Sequence, residues 1–134
     1  MFVFRKSALA AVVACFVIGL AGAAHAAGAF AVGACGAYGY SFDFRKVTEA
    51  RIAAIKKCSG SNCRIVGDIR RGCAAMAVDA KNPCGSFGWA INSHLGMAEN
   101  ASMRRCTQFG GRNCVIRRTS SCSKRLSMAK QLRS

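Results

Sequence analysis

Five acids, two histidines and nine cysteines carry most of the reactive chemistry open to this 134-residue chain. His94 is a general base only if a nucleophile or carboxylate is positioned beside it. It stands in Asn92-Ser93-His94, at the start of a helix, where a surface or capping role accounts for it. Glu49 and Glu99 are the candidates for a pair of sugar-cleaving carboxylates. They fall on equivalent helices but at non-equivalent places. Bases lie close to each, Arg45 or Lys46 for Glu49 and Arg104 or Arg105 for the region of Glu99, so surface ion pairing is the simpler role. Asp43 and Asp79 fall in turns, where Asp is common. The glycines of "GAYGYS" lack the spacing and the following Lys-Ser/Thr of a phosphate loop. Zinc needs clustered ligands, and there is no C-x-x-C pair. No catalytic residue, metal ligand or cofactor is assigned on these grounds.

A second set of residues suits binding. Tyr38, Tyr40, Phe42, Phe87 and Trp89 form an aromatic face able to stack on sugars, peptide or nucleobases. Arg64, Arg70, Arg71, Arg117 and Arg118 stand at its edges. Tyr38, Tyr40, Trp89, Arg70, Arg71, Arg117 and Arg118 are the candidate binding residues. Core packing is the competing role, because a small domain needs its aromatics inside.

The elements that position these residues begin after a leader. Arg5 and Lys6 precede an apolar run of about 18 residues, long enough to consider a membrane anchor. Ala24-His25-Ala26 has the small residues of a signal-peptidase site, so residues 1–26 read as a secretory signal peptide. Lipidation at Cys15 is a further alternative, set against by the apolar residues that follow it. Cleavage leaves eight cysteines, an even number in an exported chain, which reads as a disulfide framework. It also removes two of the +15 charges, leaving +13. So basic a domain is drawn to anionic polymers, lipid surfaces and acidic proteins.

The remaining chain is written twice. "CGAYGYS" from Cys35 returns as "CGSFGWA" from Cys84, and "AFAV" at 29–32 returns as "AMAV" at 75–78. Cys35, Cys58, Cys63 and Cys73 recur as Cys84, Cys106, Cys114 and Cys122, at offsets of 49, 48, 51 and 49. This is an internal duplication, with repeats over about 29–73 and 75–122. Each repeat reads strand, strand, helix, strand. In "GAYGYSF" the aromatics point one way, and Ala37, Gly39 and Ser41 the other, which lets a helix approach closely. Helices are expected over 46–57 and 95–105, each ending in two cations and a cysteine that suit the helix dipole. Strands are expected over 63–69 and 114–119.

The expected fold is α+β and disulfide-stapled. Two tandem strand-strand-helix-strand repeats share one mainly antiparallel sheet, with both helices on one face. Cys58–Cys63 and Cys106–Cys114 each close a short loop from helix end to strand start. For Cys35, Cys73, Cys84 and Cys122 two arrangements stay open. Each half closes on itself, or symmetry mates join across the halves; pairs running from hairpin turn to strand end are favoured. Residues 123–134 form a basic tail.

"GAFAV", "GAYGYS", "EARIAAIKKC", "NCRIV" and "GCAAMAV…GSFGWA", in this order, resemble a bacterial exported family described as domain of unknown function 4189 (DUF4189). The resemblance covers nearly all of Ala27 to Cys122. It implies a small secreted or periplasmic domain held by disulfides, and supplies no catalytic motif. Cys35, Cys84, the strong positive charge and the basic tail are additional to the usual pattern. Taken together, these features point to a non-enzymatic exported domain that binds an anionic envelope component or a protein partner, in the manner of an inhibitor or immunity protein. No specific nucleic acid and no membrane span after signal removal are expected. A cationic membrane-active or antimicrobial protein is one alternative; an envelope hydrolase is the other.

Overall fold

The computed structural model describes residues 27–117 and 121–123. The leader, Cys15, Arg118 and the basic tail from Lys124 lie outside the described residues. The short apolar strands expected from "AFAV" and "AMAV" extend to β1 (Ala27–Val32) and β4 (Cys73–Asp79). Each is the middle strand of its own sheet. β1 is flanked by β2 (Tyr38–Phe44) and β3 (Arg64–Arg70), both antiparallel to it. β4 is flanked by β5 (Phe87–Asn92) on one side. On the other side run two short pieces, β6 (Cys114–Ile116) and β7 (Ser121–Cys122). Together they take the edge that β3 takes in the first repeat. Helix α1 (Val47–Lys57) joins β2 to β3, and α2 (Leu95–Gln108) joins β5 to β6.

The strands thus form two three-position sheets, where the sequence led to one shared sheet. The helices also lie on opposite faces of the molecule instead of one. Side-chain alternation along the middle strands explains both differences. In β1, Ala29 and Ala31 face α1 and pack on Ala50 and Ala54, all completely buried. Phe30 and Val32 point the other way, into a core shared with Ala74, Met76 and Val78 of β4. On the far face of β4, Cys73 and Ala75 meet Ala98 of α2. The layers run α1, first sheet, second sheet, α2. The aromatic faces of the two repeats are turned toward each other, and Phe30 touches Trp89 across the gap at 6.2 Å between ring centroids.

Small residues set the helix-to-sheet distance. At Gly39 an added methyl would collide with the backbone of Ala54 and Cys58. At its repeat partner Gly88 it would collide with the backbone of Ser102 and Cys106. Each helix therefore lies against bare strand backbone, a close approach that only glycine permits. Ser41 ties the first contact: its hydroxyl accepts from the Ala29 N–H (3.2 Å) and donates to the Ala50 carbonyl (2.6 Å). A bulge bends β2 where Asp43 takes a left-handed φ of 61°.

Four disulfides staple this arrangement. Cys58–Cys63 and Cys106–Cys114 fix each helix end to the strand that follows. The other two, Cys35–Cys84 and Cys73–Cys122, join equivalent positions of the two repeats. The favoured pairing of hairpin turn with strand end is therefore replaced by turn with turn and strand end with strand end. The Cys35–Cys84 bond joins the hairpin turns of the two sheets, whereas Cys73 and Cys122 are register partners of β4 and β7, so their bond lies within the second sheet. The sandwich accounts for the first of these: once the aromatic faces meet, the two hairpin turns arrive at one end.

Candidate functional site

The structure builds a similar arrangement twice. In the first repeat, Tyr38 and Tyr40 come from β2, an edge strand, so part of each ring lies beyond the shared core and stays accessible. Their rings are nearly parallel, 14° apart, with centroids at 6.4 Å. Lys57, the last residue of α1, brings its ammonium to 5.6 Å from the Tyr40 ring centroid. Arg117, next after β6 of the other repeat, faces Tyr38. These groups line an open groove of about 820 Å³, with Ser59, Gly60 and Ser61 of the turn behind α1 on its rim. Burial, then the neighbouring Tyr40, raise the pKa of the Tyr38 phenol, against the opposing pull of Arg117. The phenol is therefore a hydrogen-bond donor throughout the neutral range.

In the second repeat, Phe87 and Trp89 of β5 take the places of Tyr38 and Tyr40. Arg105, from the last turn of α2, sits with its guanidinium carbon 5.1 Å from the Trp89 ring. It also donates from Nη1 to the Trp89 carbonyl at 2.6 Å, which fixes its position over the ring. Arg64, the first residue of β3, arrives from the opposite repeat, as Arg117 does in the first groove. Phe109, largely exposed behind α2, completes a groove of about 520 Å³. Each groove therefore has an aromatic pair, a helix-end cation held over one ring by cation–π attraction, and an arginine contributed by the other repeat.

Of the candidate binding residues, the structure brings together Tyr38, Tyr40 and Arg117 in one groove and places Trp89 in the other. Arg70 and Arg71 are not with them. They lie at the far end of β3, beside Asp68 in a separate cleft of about 440 Å³. Arg118 lies outside the described residues. Lys57 and Arg105 were legible only as complements to the helix dipole. Their repeated place, directly before a cysteine that anchors the helix end near the aromatic strand, was the signal for a second role. Phe109 has no partner in the repeat pattern and carried no signal.

The acid and histidine candidates stand apart from both grooves. His94 is exposed before α2, its backbone N–H donating to Asn92 Oδ1 at 3.2 Å, and its side chain makes no cap bond. Among the described residues Glu49 and Glu99 do not form the helix-surface pairs expected of them. Arg51 and Asp68 do form an ion pair, a bidentate contact at 2.9 and 2.7 Å between α1 and β3. That guanidinium lowers the pKa of Asp68, against partial burial and with help from Arg70. Asp79 ends β4 as a structural tie. Oδ1 accepts from the N–H groups of Lys81 and Asn82, and Oδ2 from those of Arg112 and Asn113. These bonds, led by that of Lys81, lower its pKa. Among the described residues no three His, Cys, Asp or Glu side chains come together as metal ligands. No helix among them is long and apolar enough to cross a membrane.

No curated protein and no solved structure matches the chain. A family does: residues 27–122, the whole of the two-sheet body with both grooves, match the domain of unknown function DUF4189. This disulfide-rich chain belongs to the DUF4189 family.

Proposed function

We propose that the mature protein is an exported, non-enzymatic domain whose paired grooves bind an anionic component of the cell envelope. One observation carries this reading: both repeats hold a cation over an accessible aromatic ring and receive a second cation from the opposite repeat. Structural economy explains one such cluster; its appearance twice, with different cation types and different rings, favours a shared use. A mature charge of +13 draws anions to the surface. The grooves give them a place where charge attraction and ring contact act together. Export is supported by the leader at residues 1–26 and by eight cysteines all engaged in bridges. An acidic protein, as in an inhibitor or immunity complex, would use the same cations.

The test compares two double variants of equal charge. Lys57→Gln with Arg105→Gln removes the ring-bound cations. Lys56→Gln with Arg104→Gln removes their neighbours, which line neither groove. Binding is measured to immobilised polyuronate, to polyglutamate and to vesicles rich in anionic lipid, at rising salt. The groove variant is expected to lose about tenfold in affinity for at least one probe, near 1.4 kcal/mol, and the neighbour variant far less. Equal loss from both, on every probe, shows attraction by overall charge and refutes groove binding.

A further inference from the structure

We infer that the domain is bivalent for acidic polysaccharide, each groove holding one stretch of a linear chain, so that one molecule cross-links two chains. The inference rests on the groove-binding reading above and adds to it the ligand class and the geometry of binding. Strand order supplies the geometry. β2 and β3 are the opposite edges of the first sheet; β5 and β6 are opposite edges of the second. One groove is built from β2 and the residue after β6, the other from β5 and the first residue of β3. The grooves therefore run along opposite lateral sides of the sandwich. The Cys35–Cys84 bridge between the two hairpin turns, together with the shared core, holds the two repeats, and so the two sides, in that relation. A flat membrane meets one side at a time, which sets a lipid surface against this geometry. Two polymer chains meet both.

The chemistry of the grooves favours an acidic sugar. A pyranose ring lays its apolar C–H face on an aromatic ring while its hydroxyls point sideways. The first groove supplies ring faces at Tyr38 and Tyr40, hydroxyls on Tyr38, Tyr40, Ser59 and Ser61, and cations at Lys57 and Arg117 for a carboxylate. The second trades hydroxyls for stacking area, with Trp89, Phe87 and Phe109, and for two guanidiniums able to take a carboxylate in bidentate fashion.

The experiment mixes the oxidised protein with long polyuronate and follows light scattering, then repeats the titration by calorimetry with a short oligouronate. The parent is expected to scatter strongly near equivalence and to bind two short oligomers per molecule. Lys57→Gln alone and Arg105→Gln alone, each confirmed folded by circular dichroism, are expected to keep one site and to lose scattering. The charge-matched Lys56→Gln and Arg104→Gln are expected to scatter as the parent does. One oligomer per parent molecule, or single-groove variants that still scatter as the parent does, overturns bivalency while leaving the groove reading intact. Groove-dependent binding to polynucleotide or vesicles but not to polyuronate overturns the ligand class alone. Equal effects of groove and neighbour substitutions overturn the groove reading itself, and the inference with it.

Discussion

Ser41 shows how much one buried polar atom can hold. It is fully buried and bonds both β1 and α1. Ser41→Ala keeps the packing but leaves the Ala29 N–H without this acceptor and the Ala50 carbonyl without this donor. A loss of about 1–3 kcal/mol in unfolding free energy is expected, measured by urea titration, since unpaired buried groups carry that cost. The acids give a pH signature. Asp68 and Asp79 both have their pKa lowered in the folded protein. Their contribution is complete above the ordinary carboxylate value near 4 and is lost as pH falls through the lower folded values. Melting temperature should hold steady between roughly pH 7 and 5 and drop below about pH 4. Asp79→Asn should melt lower at neutral pH and show a shallower acid drop; an unchanged acid slope removes Asp79 from this account. At this scale the sequence was only partly legible. That Asp79 sits at a turn follows from its type. That its carboxylate gathers N–H groups from two separate loops depends on residues 112 and 113 arriving from the far end of α2.

Helices and strands were read most accurately where local pattern and tertiary contact agree. The alternation in "GAYGYSF" places Gly39 and Ser41 toward a helix and the aromatics away from it, and the packing follows that division. β6 is the exception, three residues long where a strand to Thr119 was expected, with residues 118–120 outside the described set. Gly39 and Gly88 state the element-scale requirement most sharply. Gly39→Ala and Gly88→Ala must each push a helix off its sheet, and each is expected to cost about 1–3 kcal/mol or more, as overpacking does. Gly96, on the open side of α2 with nothing near its would-be methyl, is the control. Gly96→Ala should be neutral or slightly stabilising, because alanine is the better helix former. A stability loss at Gly96 as large as at Gly88 would contradict the close-approach argument. The grooves belong to this scale too. Lys57 and Arg105 reach their rings only because Gly39 and Gly88 let the helix ends come so near the edge strands.

The whole molecule departs from the sequence reading in how its halves meet. A strand with one aromatic face and one small-residue face is satisfied in a single sheet backed by helices only if the aromatic face is left wet. Two such sheets cover each other's aromatic faces, and the outer faces then take one helix each. The composition of the two faces held that answer. The pattern of a single repeat did not, because nothing local specifies the contact between repeats. The sequence left the pairing of symmetry mates open for the same reason: Cys35–Cys84 follows from the contact between the sheets and Cys73–Cys122 from the pairing of β7 with β4, each at a sequence separation of 49. Replacing Cys35 and Cys84 together by Ser is expected to lower stability by about 2–4 kcal/mol, with the short-loop bridges contributing less. It should also weaken both grooves at once, since each draws an arginine from the opposite repeat. Trp89, the one tryptophan in the chain, offers the most direct reading of the central claim that these grooves are ligand sites. Its fluorescence is titrated with a short oligouronate in moderate salt. The account predicts a saturable change that Arg105→Gln abolishes and Arg104→Gln retains. A flat response, or one that both substitutions diminish alike, would contradict it.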